Sequence, residues 1–531
     1  MIKLLVAFLV AFLLQGSVYS LRLADKNFVP PTLSHTPFGY GGSATGGSIN
    51  TSSVFIVSNT TELREALALP FSKTIYVNGT INGNEFPNGK SPLPPTSPLP
   101  SLNHKSSNPI SSHAEPSQNT GTLATCQDYI DMTGSPGAAI RQFNFTLYIL
   151  GFNTTYMNLV AQAIADNVTF EGMNATDYKA LIGHMNGWRP VVLDSQKAQV
   201  GFTLTNNTSL IGLDENAALN GINLYVHSVN NIWIRNLKLV SPKDCFPAPE
   251  TFPSSWNAEY DAVGLVTSTN VWLDGCELQD QLDGEYVQPD MVDGWQVDRF
   301  DGLFDCEDGT DNITFSHNIV RNHHKSMLLG GGTKEFDLDL GHMHFTIFAN
   351  HFNNSASRNP LMRFGTFDVF ANVYETLSTS GPVFAPTNVT LESRADSDPL
   401  PADAVFEYNL GVYNQSTVQL QDNIFIQTGA GASDTSRIFT ISESTLPEFP
   451  ARVCIHETAP HFLSTLNGRP INNLSTLAQD TINHFVSTGS AAEEAVVVTC
   501  EGIEVGYALP ESFTTADEVL AYVLEQAGQS S

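Results

Sequence analysis

Asn312-Ile-Thr-Phe-Ser-His-Asn318, His344-Phe-Thr-Ile-Phe-Ala-Asn350, Thr366-Phe-Asp-Val-Phe-Ala-Asn372 and Thr417-Val-Gln-Leu-Gln-Asp-Asn423 share one pattern. Each is an alternating apolar run with asparagine six positions after its start. Two earlier stretches, Asn231-Ile-Trp-Ile-Arg-Asn-Leu237 and Asn270-Val-Trp-Leu-Asp-Gly-Cys276, keep the strand and change the last position. The starts fall at residues 231, 270, 312, 344, 366 and 417, with a shortest interval of 22 residues. Alternation with a period of two buries one side of each strand. A repeat near the low twenties, with loops of variable length between copies, is the mark of a solenoid. Equivalent asparagines stacked one above another hydrogen-bond along the stack, as in the ladders of cross-β structures. The rival, a β-sandwich with asparagine in its turns, would need hairpin dipeptides every 8–12 residues, and these are scarce. The expected fold is all-β: a parallel β-helix, a single-stranded solenoid with long loops.

Outside these repeats the chain supplies a large core and few charges. Apolar residues make up 41% of the 531 positions and charged residues 15%, which excludes a disordered or coiled-coil chain. The formal net charge is −30, which repels nucleic acid and anionic membranes and leaves neither as an expected partner. An acidic polymer would be repelled as well, unless a cation bridges the two.

Lys3, the apolar run Leu4 to Leu14 and the small residue closing Val18-Tyr19-Ser20 read as a secretory signal over 1–20. The run is too short to span a bilayer. Six cysteines (Cys126, Cys245, Cys276, Cys306, Cys454, Cys500) suit disulfides in an oxidising compartment, and their spacing offers no zinc pattern. Cys454 and Cys500, both beyond the motif-rich region, are expected to pair. Asn-x-Ser/Thr triplets are dense, among them Asn50, Asn59, Asn78, Asn144, Asn153, Asn167, Asn174, Asn312, Asn388, Asn414 and Asn473. A secreted, extracellular glycoprotein is the expectation.

Residues 84–121 hold eight of the 29 prolines among Ser and Asn, a composition that builds no packed core. They interrupt the folded unit without dividing it, because Ile75-Tyr76-Val77 just before them already reads as a strand. The organisation is therefore signal 1–20, N-terminal extension 21–52 and one solenoid domain 53–528. It closes with a helix, capped at Thr515-Ala-Asp-Glu518, with Val519, Leu520, Val523 and Leu524 as its apolar face and Gly528 at its end.

Chemistry concentrates between Glu259 and Arg363. The clusters are Trp256-Asn-Ala-Glu259-Tyr-Asp261, Asp301-Gly-Leu-Phe-Asp305, His323-His324-Lys325-Ser-Met-Leu-Leu-Gly-Gly and Arg358-Asn-Pro360-Leu-Met-Arg363-Phe-Gly365. Each taken singly is an ordinary turn or surface charge, and His323 and His324 read as structural histidines. In a solenoid, however, the clusters fall on successive coils about 4.8 Å apart. Carboxylates from two coils then offer the hard oxygens that suit Ca²⁺. A lysine and two arginines beside them would grip carboxylates of an anionic substrate.

In these motifs the chain resembles the secreted pectate lyases of the first polysaccharide-lyase family. Further matching stretches are Ile75-Tyr-Val-Asn-Gly-Thr-Ile81, Asn207-Thr-Ser-Leu-Ile-Gly-Leu213, Val271-Trp-Leu-Asp274 and Val523-Leu-Glu-Gln-Ala-Gly528, so the likeness covers most of the chain in the family's order. The resemblance implies a right-handed β-helix and a monomer. It implies Ca²⁺ on Asp261, Asp301 and Asp305 with Glu259 as a further carboxylate, Arg358 as the base, and Lys325 and Arg363 on substrate carboxylates. The implied reaction is β-elimination of de-esterified α-1,4-galacturonan (polygalacturonate, pectin). A pectin lyase acting on methylated polymer, or a non-catalytic pectin-binding β-helix, stands as the alternative. A hydrolytic polygalacturonase would need paired catalytic aspartates in motifs that are absent. Three positions depart from the family pattern: Gly275 in place of His, His324 in place of Asp, and Asp368 in place of His.

Overall fold

The computed structural model describes residues 21–25, 27–86, 123–378, 384, 406–441, 452–457, 464–500 and 505–530. The signal segment 1–20, residues 87–121 of the expected insertion and the triplet at Asn388 lie outside them. Strands of 2–6 residues stack into three sheets that wrap one interior. A long sheet of 12 strands is parallel from Val54–Val57 to Val496–Val498, with only Arg22–Leu23 added antiparallel at its edge. An eight-stranded sheet runs from Gly201–Thr203 to Phe439–Ile441, and a third sheet of 10 strands from Thr80–Asn82 to Arg469–Pro470. The chain visits them in rotation: Val263–Val266, Thr269–Asp274, Glu277–Gln279, then Phe304–Glu307, Asp311–Ser316, Ile319–Arg321 one coil later. This is a parallel β-helix, as the repeat requires.

The repeat is explained residue by residue. Ile313, Phe315, Phe345, Ile347, Phe367, Val369, Val418 and Leu420 point into one continuous core. At the corner after the long sheet, Asn236, Gly275, His317, Ala349, Ala371 and Asp422 all take the left-handed conformation, with φ between 52° and 63°. The next residue lies between that corner and the first residue of the third sheet, and there the asparagines stack. Asn318 donates its amide to Asn350 (3.1 Å), Asn350 to Asn372 (2.9 Å) and Asn372 to Asn423 (3.2 Å), all four fully buried. Each side-chain oxygen also accepts the backbone N–H of the preceding member, and each amide donates to a carbonyl of the coil before. Asn350→Ala would strand the Asn318 N–H and one proton of its amide, take a donor from the Phe315 carbonyl, and leave the Asn372 oxygen with the Asn350 N–H alone. At about 1–3 kcal/mol per stranded group, discounted for relaxation, the expected loss is about 3–5 kcal/mol. Urea unfolding followed by circular dichroism measures it, and a loss under 1 kcal/mol would show the ladder to be incidental.

The N-terminal extension is a strap across the outside of the long sheet. Gly41 N–H donates to Thr314 Oγ1 (2.9 Å), Thr45 and Gly46 to Asn231 Oδ1 (2.6 and 2.8 Å) and Gly47 to Ser209 Oγ (2.8 Å). Its His35 reaches Asp274, where His317 and Arg235 also converge. The strap therefore covers the outward face of the middle strands of the long sheet, from Thr208–Gly212 to His344–Phe348. Gly275 stands at this corner with φ 63°, and a Cβ there would lie 3.3 Å from the Gly528 carbonyl. Its departure from the family's His thus serves the docking of the C-terminal tail.

One part of the architecture was not expected. Between Thr80–Asn82 and Gly201–Thr203 the chain forms a helical insert, Cys126–Asp131, Phe145–Leu150, Thr154–Ala165 and the 26-residue helix Ala175–Val200. It has its own apolar core around Tyr129, Tyr148, Tyr178 and Met185, and it shares Phe246, Trp256 and Tyr260 with the solenoid. No helix among the described residues is long and apolar enough to cross a membrane. The closing helix is found at Ala516–Gln526, packed on Phe348, Phe370 and Ile424 through Val519 and Val523, whereas Leu524 is 57% exposed.

Cys454–Cys500 forms the expected disulfide and Cys126–Cys245 a second. Cys276 and Cys306 remain buried thiols in the solenoid interior, because they point inward on neighbouring coils as core residues do. Several Asn-x-Ser/Thr triplets also have a local reason: Asn59, Asn144, Asn153, Asn174 and Asn473 cap helices, each accepting a backbone N–H of the first turn. Asn414 is fully buried, so it is not a glycan acceptor in the folded chain.

Candidate active site

The eight-stranded sheet carries the expected cluster on its outer face. Asp305 sits on Phe304–Glu307, Asp301 just before that strand, and Asp261 just before Val263–Val266 one coil away. Ligand oxygens of Asp261, Asp301 and Asp305 all lie within 4.8 Å of one another. Gly302 N–H donates to Asp261 Oδ1 (3.0 Å) and Leu328 N–H to Asp305 Oδ1 (2.9 Å), which fixes two of the carboxylates. Gly302 is obligatory for a steric reason: a Cβ there would stand 2.1 Å from Asp305 Oδ1.

Three carboxylates this close repel each other. Burial, then Asp301, push the Asp305 carboxyl up from the usual 3.8 to about 7, with Arg358 opposing the rise. Burial, then Asp305, Asp301 and Glu307, push Asp261 well above the carboxylate range. A cluster of hard oxygens that strained by its own charge matches what a divalent cation needs from its ligands.

The fourth expected ligand is elsewhere. Glu259 points away from the trio and pairs with Lys197 (2.5 Å), its backbone N–H held by Asp244. The nearer extra carboxylate is Glu307, half-buried beside the cluster and itself raised by burial and by Asp308, Glu335 and Asp301. Its signal was present in the sequence, because Glu307 follows Asp305 by two and so shares its face of the strand.

The cations divide into two kinds. Lys325 donates to Asp301 Oδ1 (3.2 Å) at the wall of a cleft of about 1060 Å³, which the three aspartates, Glu307 and Arg358 also line. Arg358 is half-buried, with φ 57°, a left-handed conformation unusual for arginine. Its carbonyl accepts Met327 N–H (2.8 Å), while its guanidinium makes no hydrogen bond or ion pair among the described residues. Burial works against its charge, but Asp305, Tyr408 and Asp301 outweigh it and hold its pKa above the usual value.

Arg363 departs from expectation. It does not line the cleft; Nη1 donates to the carbonyls of Gly330 (2.6 Å) and Gly331 (3.3 Å), and the guanidinium lies over the Tyr413 ring at 4.8 Å. Its charge braces the loop that follows Leu328–Leu329.

His323 and His324 play the structural parts expected of them, with one addition. His323 is fully buried, its Nδ1 against Asp280 (2.9 Å) and its Nε2 donating to the Lys325 carbonyl (3.1 Å), so it sets the Lys325 backbone. His324 lines the cleft between Asp298 and Glu407, which overcome the effect of burial and push its pKa up to about 9. The family's Asp at this position is thus replaced by a cation pinned by two carboxylates. Asp368 lies on the long sheet, bonded to Tyr507 (2.5 Å) and Gln419 (2.9 Å), and does not line the cleft.

A family model described as pectate lyase matches residues 164–445. Similar proteins include pectate lyase E of Dickeya chrysanthemi, 31% identical over 215 residues (38% of this chain, 54% of that protein), and a pectate lyase of Bacillus subtilis strain 168, 28% identical over 251 residues (46% and 54%). The chain spans about half the length of these curated relatives in its matches. Among solved structures, a thermostable pectate lyase superposes with a TM-score of 0.66 at 21% identity, covering 94% of this chain and 98% of that one. A pectate lyase bound to a hexasaccharide gives 0.61 at 22% identity, over 95% and 99%. At those identities the structural likeness speaks to the fold.

Proposed function

This chain belongs to the pectate lyase family, and we propose that it is a secreted, calcium-dependent lyase. It cleaves de-esterified α-1,4-galacturonan by β-elimination and leaves 4,5-unsaturated oligogalacturonides. The observation that carries this reading is the cluster Asp261, Asp301 and Asp305 sharing one cleft with an arginine that has no side-chain partner among the described residues. The three aspartates, with Glu307 beside them, would hold the ion. When bound, Ca²⁺ supplies charge neutralisation and Lewis acidity toward a uronate carboxylate. Pectin lyase chemistry on methylated polymer would not call for this carboxylate set.

The chain's own residues do the rest. Lys325 binds and orients a uronate carboxylate at the cleft wall, held in place through its backbone by His323. Arg358, in its neutral guanidine form, takes the C5 proton on a side-chain nitrogen and becomes guanidinium, the C4–O bond breaks, C4=C5 forms, and the leaving oxygen takes a proton from water, whose hydroxide returns Arg358 to the neutral form. Arg363 keeps the 330–331 loop in place behind Arg358. As long as Asp305 and Asp301 are ionised and unneutralised they hold Arg358 protonated, so proton abstraction belongs to alkaline pH and to a neutralised cluster. That same upward push is the observation favouring the second reading, a pectin-binding protein without catalysis.

Purified protein mixed with polygalacturonate at alkaline pH, with Ca²⁺ or with a chelator, separates the two. The conjugated C4=C5 bond absorbs in the near ultraviolet, and hydrolysis products do not. The expected result is a Ca²⁺-dependent rise. Folded protein that gives none, on polygalacturonate or on methylated pectin, is the binding protein instead.

A further inference from the structure

We propose that Tyr225 and Lys197 form an outer sugar-binding subsite of the cleft, completed by the helical insert, which takes a further uronate residue of the polymer. The proposal rests on the polygalacturonate reading of the aspartate–arginine centre. Asp305, Gly264 and Tyr225 are in register on three successive strands of the same sheet. With about 4.8 Å per coil, Tyr225 stands about 10 Å from the Asp305 row. Gly264 between them has no side chain, and the space above it is taken by the Asp261 carboxylate (a Cβ there would stand 2.9 Å from Oδ2), so the aspartate cluster borders the Tyr225 row directly.

Tyr225 is 39% exposed, on a strand whose inward residues Leu224 and Val226 are fully buried. Its ring lies nearly parallel to His227 on the same face, with centroids 5.6 Å apart and 15° between planes. An aromatic face left open in a polar cleft suits the C–H-lined face of a pyranose ring. Lys197 supplies the charge for that sugar's carboxylate. It comes from the last turn of Ala175–Val200 and lines the same cleft as Tyr225.

Lys197 is not there by accident of a mobile side chain. The preceding residue, Gln196, is 1% exposed and clasps the cleft wall, donating to the Lys243 carbonyl (2.8 Å) and accepting Cys245 N–H (2.9 Å). The Cys126–Cys245 disulfide ties the insert to that same wall. The partner of Lys197, Glu259, lies on the cleft rim, and its exposed ion pair contributes little to stability. What the pair does is present a cation and a hydrogen-bond acceptor beside an open ring. This gives Glu259 a place at the sugar rather than at the metal.

The test is chain-length dependence. Tyr225→Ala and Lys197→Ala are each expected to raise KM about tenfold for polygalacturonate and long oligomers, with kcat and the KM for a trimer unchanged, and Tyr225→Phe to restore the wild-type value. Calorimetry of oligogalacturonate binding to Arg358→Ala protein, with and without Tyr225→Ala, gives a second readout that needs no catalysis. Lyase activity whose length dependence is unchanged in both variants would overturn the subsite and leave the reaction standing. Equal loss on trimer and polymer would also overturn it. Wild-type protein that makes no unsaturated product, yet binds longer oligomers more tightly through Tyr225, would sink the reaction and keep the subsite.

Discussion

Arg358→Ala is expected to lower kcat on polygalacturonate by about 10²–10⁴-fold, the usual worth of a positioned proton acceptor, with the fold unchanged. The structural reason is that the guanidinium supports nothing but the cleft. It is half-buried and without a hydrogen bond or ion pair among the described residues, so its removal strands no partner. The backbone at 358 is held independently, through the carbonyl to Met327 N–H, and alanine leaves that bond in place. Arg358→Lys sharpens the test. A lysine ammonium keeps a positive charge near the substrate but loses the planar fork, so binding is retained better than turnover. Initial rates over a range of substrate concentration, with thermal melts by circular dichroism as the folding control, read both. A fall of less than tenfold, or one confined to KM, would remove Arg358 from proton transfer and leave it a substrate-binding cation.

The second large effect runs in opposite directions for stability and activity. Asp305→Asn and Asp261→Asn are expected to abolish Ca²⁺-dependent activity and to melt higher than wild type in chelator at pH 8. The folded pKa of Asp305 is raised from 3.8 to about 7, so the folded chain binds that proton more tightly than the unfolded chain does. The stability this contributes is fully present below pH ~4 and is lost as pH rises through ~7. Asn removes the penalty and keeps an oxygen for Leu328 N–H or Gly302 N–H. The gain is on the order of 1–4 kcal/mol for Asp305, whose side chain is well buried. Ca²⁺ should raise the melting temperature of wild type at pH 8, much less at pH 5, and not that of the variants. A wild-type melting temperature indifferent to Ca²⁺ would show that the cluster does not bind it. Variants less stable than wild type in chelator would mean that these carboxylates serve as structural anchors.

How far the primary structure could be read differs from one feature to the next. The coil repeat was legible because both of its signals are local: alternation along a strand and an asparagine at a bend. Asn318, Asn350, Asn372 and Asn423 needed only to be spaced correctly for the stack to form. Asp261, Asp301, Asp305, Lys325 and Arg358 were likewise named from their motifs, and one cleft brings all five together. Glu259 and Arg363 were named in the same way and went elsewhere. Glu259 lies two residues before Asp261, in the stretch leading up to its strand, where nothing in the motif says which side its carboxylate will take. Lys197, 62 positions away in sequence, claims it. Arg363 was intercepted by two carbonyls of the neighbouring coil, which no local pattern announces.

By itself, then, the sequence determined the stacked-coil architecture, the ladder, the closing helix and the five charged groups of the cleft. These follow from periodicity, bend chemistry and motifs that each coil carries within itself. Only the tertiary structure decided that Glu307 replaces Glu259 beside the aspartates, that Cys276 and Cys306 stay reduced inside the core, and that the 21–52 strap covers the long sheet. It also decided that a helical insert delivers Lys197 to Tyr225. The physical reason is the same in each case: these contacts join residues tens to hundreds of positions apart, and the stacking of coils, not the order of residues, sets which of them meet.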